Sequence, residues 1–396
     1  MQENSMRRIS LIVLGAAVLA TAAYSSDAKK LQHPPRYYVT TLDSLGGTTS
    51  RGNSINNLGW ISGYSNLAGN QTRHASLWLY GSQFDLGTLG GPNSSVVWPV
   101  KNDRGMITGI SQTATPDPLG EAWSCSAFFP PATATGYTCL GFVWEWGVMR
   151  ALPTLGGNNG YAASSNNRGQ VVGWAENSVH DSTCVPPQVL QFRAVVWQPH
   201  KDQIRELPLI AHDTSSAATA INDRGQIVGI SGTCDQAVGR FTAAHAVLWD
   251  NGKVIDIGNL GGETWNTPTA INERGDIVGF ASQHGDDPDN PTLHAFLWTK
   301  REGIRDLGTL PGDATSQASG INERGQVVGV SCDIGNNCRA FLWQSGVMTD
   351  LNTLAPGYGN VLTTAQDIND FGVITGRAHN ADTNANPAFV AVPLRW

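Results

Sequence analysis

One phrase, Asn-x-x-Gly-x-Ile/Val-x-Gly, returns seven times along the chain and limits what it can fold into more than any other feature. Its paired glycines are Gly59/Gly63, Gly105/Gly109, Gly169/Gly173, Gly225/Gly229, Gly275/Gly279, Gly325/Gly329 and Gly372/Gly376. Three residues before each first glycine stands an asparagine: Asn56, Asn102, Asn166, Asn222, Asn272, Asn322 and Asn369. Self-similarity on this scale marks a repeated supersecondary unit that buries its apolar face only against its neighbours. The phrase reads as a tight hairpin, in which Asn opens a type I turn by bonding its own backbone and Gly takes the left-handed conformation that a Cβ resists.

A second phrase follows each first one at a variable distance. It is His74 to Trp78, Gly141 to Trp144, Arg193 to Trp197, His245 to Trp249, His294 to Trp298 and Arg339 to Trp343, with Ala388-Phe389-Val390 last. Next comes an Asp-Leu-Gly-Thr-Leu-Gly-Gly-like strand and hinge, clearest at Asp85 to Gly91, Asp256 to Gly262 and Asp306 to Gly312. These segments are rich in β-branched and aromatic residues and bounded by turn residues, so each unit reads as a four-strand meander. The last unit lacks its fourth segment, and a matching one, Tyr37 to Gly47, stands at the other end. That displacement predicts an all-β chain, a seven-bladed β-propeller of four-stranded antiparallel blades over residues 37–396, closed by the N-terminal strand. A linear solenoid would carry capping repeats instead. The recurring tryptophans are expected to pack blade against blade.

Composition agrees: 45 glycines in 396 residues with only 14% charged residues suit a turn-rich β protein. The net charge of −7 is spread thinly, which argues against nucleic acid as a partner. Residues 1–22 read as a signal peptide, with basic Met6-Arg7-Arg8, an apolar run from Ile9 to Ala23 and a small-residue cleavage pattern at Ala20-Thr21-Ala22. Residues 23–36 read as a linker, and retention of the apolar run as an anchor is the alternative. No later segment reads as a transmembrane span. Six cysteines in an exported chain imply disulfides. The expected pairs are Cys125–Cys139, Cys332–Cys338 and Cys184–Cys234, each within one loop or between neighbouring loops of one rim.

The three linked phrases together resemble the HAF repeat family of exported bacterial proteins, over about residues 37 to 396. Units 4 to 6 fit best. Unit 2 lacks the His and has Lys101 where Ile belongs, unit 3 has Ser165 there, and unit 7 loses the Trp. The resemblance implies an extracellular or cell-envelope repeat protein and brings no established activity with it.

Chemistry is sparse in the sequence. It has no His-Glu-x-x-His, no Gly-x-Ser-x-Gly and no phosphate-cradling Gly-x-x-x-x-Gly-Lys. His74, His245 and His294 share one repeat position with Arg193 and Arg339. Because Arg does not ligate metals, that position reads as a hydrogen-bond donor to a carboxylate or carbonyl. The turn arginines Arg104, Arg168, Arg224, Arg274 and Arg324 stand beside Asp103, Asp223, Glu273 and Glu323, as a neutral solvated rim would. The acidic loop His284 to Pro291 lacks the spacing of a calcium loop. No cofactor, metal or catalytic residue is assigned.

The links between second and third strands and between units should share one rim, opposite the tight Asn-x-x-Gly turns. That rim carries all the length variation, in segments 112–138, 176–191, 231–243 and 281–293. The longest insert holds Trp123, Phe128, Phe129 and Tyr137, expected as ligand-binding anchors on a rigid scaffold; the alternative is that the insert folds back on its own blade. The expected function is a secreted or envelope-located, non-catalytic, monomeric binding scaffold for an extracellular protein or glycan. A propeller enzyme acting on glycans, as hydrolase or lyase, and a structural envelope protein are the alternatives.

Overall fold

The computed structural model describes residues 35–121, 123–234, 244–285 and 292–394, apart from the side chains of 123–125. The signal-peptide and linker expectations therefore lie outside the described residues, except for residues 35 and 36. The fold is a seven-bladed β-propeller, each blade a four-stranded antiparallel sheet. Blade 1 runs Gly46–Ile55, Ile61–Leu67, Arg73–Leu79, Ser82–Asp85, from the innermost strand outward, and blades 2 to 6 repeat that order. Blade 7 takes its three inner strands from Val361–Ile368, Ile374–His379 and Ala388–Pro393. Its outer strand is Tyr37–Thr41, in register from Tyr37 opposite Pro393 to Thr41 opposite Phe389. The N-terminal strand thus closes the ring, as the displaced repeat predicts, and Tyr37 is buried against Leu351, Leu362 and Ala391.

The repeat's conserved positions map onto interblade bonds. Each Asn-x-x-Gly turn uses its Asn Oδ1 to accept the amides two and four residues on, as Asn272 does from Arg274 and Asp276. The same Asn turns its Nδ2 to the next blade. Asn56 donates to the carbonyl of Asn102, Asn102 to Asn166, Asn166 to Asn222, Asn222 to Asn272, Asn272 to Asn322, Asn322 to Asn369, and Asn369 back to Asn56 at 3.1 Å. The turn asparagine is therefore both a local cap and a link in a closed seven-membered ring. Gly63 shows why a glycine ends the phrase: a Cβ there would stand 1.9 Å from the carbonyl oxygen of Arg51 on the inner strand.

The tryptophans do pack between blades, and Trp78, Trp197 and Trp249 also donate Nε1 to carbonyls of the preceding hinge, at Asp43, Pro153 and Pro208. The shared His/Arg position donates to the acidic residue of the outer strand. His74 meets Asp85 at 2.8 Å, His245 meets Asp256 at 3.0 Å, His294 meets Asp306 at 2.9 Å, Arg193 meets Glu206 at 3.1 Å and Arg339 meets Asp350 at 3.2 Å. Hence the third-strand His or Arg and the outer-strand acid recur together: they staple the outer strand to its blade. Among the described residues no helix is long and apolar enough to cross a membrane.

Candidate functional site

The two ends of the central channel differ. At the tight-turn end, the residue after each ring Asn points its side chain to the preceding blade. Asp103 accepts from the Asn57 amide, Asn167 from Asp103, Asp223 from Asn167, Glu273 from Asp223, Glu323 from Glu273, Asp370 from Glu323 and Asn57 from Asp370. The rim expected from the alternating turn acids and arginines has a further feature. The backbone amides of neighbouring blades claim the acids, because the turns stand side by side around the axis. They surround a cavity of about 140 Å³. Burial, and then repulsion from Asp223 and Glu323, push the Glu273 carboxyl up. With one oxygen of each committed to an amide of the neighbouring turn, these side chains act as a structural collar. Among the described residues no group of three or more His, Cys, Asp or Glu is placed to hold a metal ion.

The opposite end carries the long loops, as the sequence implies. The 112–138 insert contains a short helix, Trp123–Phe128, and is fastened across three consecutive blades. To blade 1, Thr133 Oγ1 donates to the Gln71 carbonyl at 2.6 Å, and Arg73 Nη1 donates to the Phe128 carbonyl at 2.7 Å. To its own blade 2, Asn93 Nδ2 and Gln112 Nε2 donate to the Thr133 carbonyl. To blade 3, Glu121 Oε1 accepts from the amides of Val189 and Leu190 and from Gln188, while Asp117 accepts from Asn159 Nδ2 at 2.7 Å.

The same contact buries a second carboxylate beside the first. Glu176 accepts from the amides of Asn158 and Asn159 and from Gln188 Nε2. Burial raises its carboxyl to about 7, with the Glu121 charge adding to the rise. Glu121 and Glu176 are 1% and 0% exposed, so both carboxyls lie inside the contact between the insert and blade 3. Neither residue was singled out from the sequence, because the contact joins an insert in unit 2 to a strand and a loop of unit 3.

Of the four expected anchors, Trp123 falls among the undescribed side chains. Phe129 is 4% exposed, in a core cluster with Val97, Tyr161 and Trp174. Phe128 is half-buried, its ring 5.4 Å from that of Tyr161, and Tyr137 is half-buried at the base of the insert. Phe129 thus holds the insert down, leaving Phe128 and Tyr137 as the described aromatics that reach solvent. Cys184–Cys234 and Cys332–Cys338 are disulfides as expected, the former tying the long loops of blades 3 and 4 together. The Cys125–Cys139 expectation falls on Cys125, whose side chain is outside the described residues.

No family model and no curated protein matches the chain. Among solved structures it is similar to an acylaminoacyl peptidase of Pyrococcus horikoshii, at 11% identity and TM-score 0.51, covering 88% of this chain and 52% of that one. It is also similar to a puromycin-hydrolyzing peptidase of Mycobacterium tuberculosis, at 9% identity and TM-score 0.44, covering 91% of this chain and 55% of that one. A third similar structure is an arabinanase of Bacillus subtilis, at 12% identity and TM-score 0.25, covering 57% of this chain and 90% of that one. The chain spans about half the length of the two peptidases. At these identities the likeness concerns the fold alone.

Proposed function

We propose that this propeller is an exported, non-catalytic binding protein of the HAF repeat type, holding a protein or glycan on its long-loop face. The observation that carries this reading is the fastening of the insert to blades 1, 2 and 3, beside the Cys184–Cys234 link between blades 3 and 4. Loops ordered before the ligand arrives lose little entropy on binding, so a stapled rim is a preformed contact surface. Phe128 and Tyr137 supply its described aromatic contacts. Export is supported by the two disulfides, which persist in oxidising compartments, and by the basic and apolar N-terminal sequence.

A glycan array, with an envelope-protein binding screen in parallel, tests the reading on the oxidised full-length chain. Saturable binding that weakens at least tenfold in Phe128→Ala or Tyr137→Ala is the expected result. Release of cleaved product from a bound glycan would overturn the non-catalytic reading and favour an envelope hydrolase or lyase.

A further inference from the structure

Three arginines break the repeat where two blades meet. In the register that pairs inner with second strands, one cross-strand pair recurs at the same level: Tyr161 with Trp174, Ala217 with Ile230, Thr267 with Phe280, and Gln317 with Val330 in blades 3 to 6. Blade 1 has Arg51 opposite Tyr64, and blade 7 has Thr364 opposite Arg377. Arg73 is a further departure, since the matching residues, Phe192 in blade 3 and Cys338 in blade 6, carry no cationic charge.

The three guanidiniums converge on one phenol ring. The Arg73 Cζ lies 3.7 Å from the Tyr64 ring centroid and the Arg51 Cζ 5.3 Å from it. Among the described residues no carboxylate forms an ion pair with Arg51, Arg73 or Arg377. The Nε atoms of Arg51 and Arg377 are shut off from solvent without a hydrogen-bond partner. Arg73 donates to Asn66 Oδ1 at 2.9 Å and to the Phe128 carbonyl of the insert, and Arg377 is hydrogen-bonded to the Tyr64 side chain. Burial lowers the affinity of Arg51 and Arg73 for their protons. The Tyr64 phenol, pushed up by burial, is brought below its ordinary value by the three neighbouring charges.

Buried cations are ordinarily paired, and like charges packed together repel, so such a cluster is unfavourable unless an anion completes it. Guanidinium forks match the oxygens of carboxylate, sulfate and phosphate groups. All three arginines are partly buried and keep partial exposure. We infer that Arg51, Arg73 and Arg377, with Tyr64 beneath them, form a binding site for an oxyanion group, carboxylate, sulfate or phosphate, carried by the ligand of the long-loop face. This rests on the binding reading and adds the chemistry of one ligand group to it.

The test titrates the oxidised full-length chain with sodium phosphate, sodium sulfate and sodium glucuronate by calorimetry and thermal melting, against sodium chloride of equal ionic strength. Two variants restore residues that the repeat itself uses, Arg51→Gln and Arg377→Val. The wild type should bind at least one of the three anions and melt higher in its presence. Preference for glucuronate points to an acidic sugar as the source, and preference for phosphate or sulfate to a phosphorylated or sulfated one. Each variant should lose at least tenfold in anion affinity while melting, without anion, no lower than the wild type. The site is overturned if no anion acts beyond chloride. It is equally overturned if the variants melt lower and keep the anion response, which would make the arginines structural. An array positive only for neutral glycans, with no anion response, removes this site and leaves the binding reading standing.

Discussion

Lys101 Nζ lies 2.5 Å from Asp367 Oδ1 and so ties blade 2 to blade 7 across blade 1. Asp367 is fully buried and also accepts the Ile55 amide at 2.9 Å, while Lys101 donates a second time to the Ile368 carbonyl. Units 4 and 5 have Ile where Lys101 stands, at Ile221 and Ile271, and Ala where Asp367 stands, at Ala220 and Ala270. Lys101→Ile leaves the buried Asp367 charge alone and should destabilise by about 3 kcal/mol, whereas Asp367→Ala leaves a Lys101 side chain that still reaches solvent and should cost less. The double variant restores the repeat's apolar pair and should recover most of that loss in a denaturant-based double-mutant cycle.

The ring architecture was legible because Asn-x-x-Gly and the displaced Tyr37 to Gly47 segment are local patterns that any reader of one strand can see. The Asn ring was half legible. Asn272 reads locally as a turn cap, but its bond to Asn322 joins residues of different blades and leaves no trace in either turn. The same holds for Glu121 and Glu176, which lie far apart in sequence. The arginine cluster was written in the sequence as departures from the repeat, at residues 51, 73 and 377, and becomes visible only when the units are aligned by strand register. Phe129 shows the reverse limit: an aromatic in a long insert reads equally as anchor or as core, and only the docking of the insert decides.

Asn272 makes bonds that no other side chain of its size reproduces: Oδ1 accepts two amides of its own turn and Nδ2 donates to the Asn322 carbonyl. Asn272→Ala should lower the unfolding free energy by about 2 kcal/mol. Asn272→Asp should fall in between, because it keeps the cap and loses the donor. Urea denaturation of the three proteins checks the order.

Glu176 gives the fold a pH dependence of known sign. Its carboxyl binds its proton up to about pH 7 in the folded chain, against an ordinary value of 4.5. Its contribution to stability is therefore full below pH 4.5 and declines as pH rises, being lost through and above pH 7. Between pH 4.5 and pH 8 the wild type should lose about 3 kcal/mol relative to Glu176→Gln. Paired denaturation curves at pH 5 and pH 8 measure the difference, and equal slopes for the two proteins would remove Glu176 as the cause.

Deleting residues 37 to 47 takes away the outer strand of blade 7 and exposes the edge of Ala388–Pro393. The truncated chain should aggregate or lose its cooperative melt, since an unpaired edge invites intermolecular pairing. A melt that matches the full-length protein would mean that the ring does not depend on the N-terminal strand.

The most direct test of the binding account is hydrogen–deuterium exchange on the oxidised full-length chain, with and without the strongest-binding glycan or protein from the screen. The account predicts ligand-induced protection on the long-loop face, in 112–138, 176–191 and the strands carrying Arg51, Arg73 and Arg377, with the seven Asn-x-x-Gly turns unchanged. Protection confined to those turns, around Asn57, Glu273 and Asp370, would place the ligand at the opposite end of the channel and contradict it.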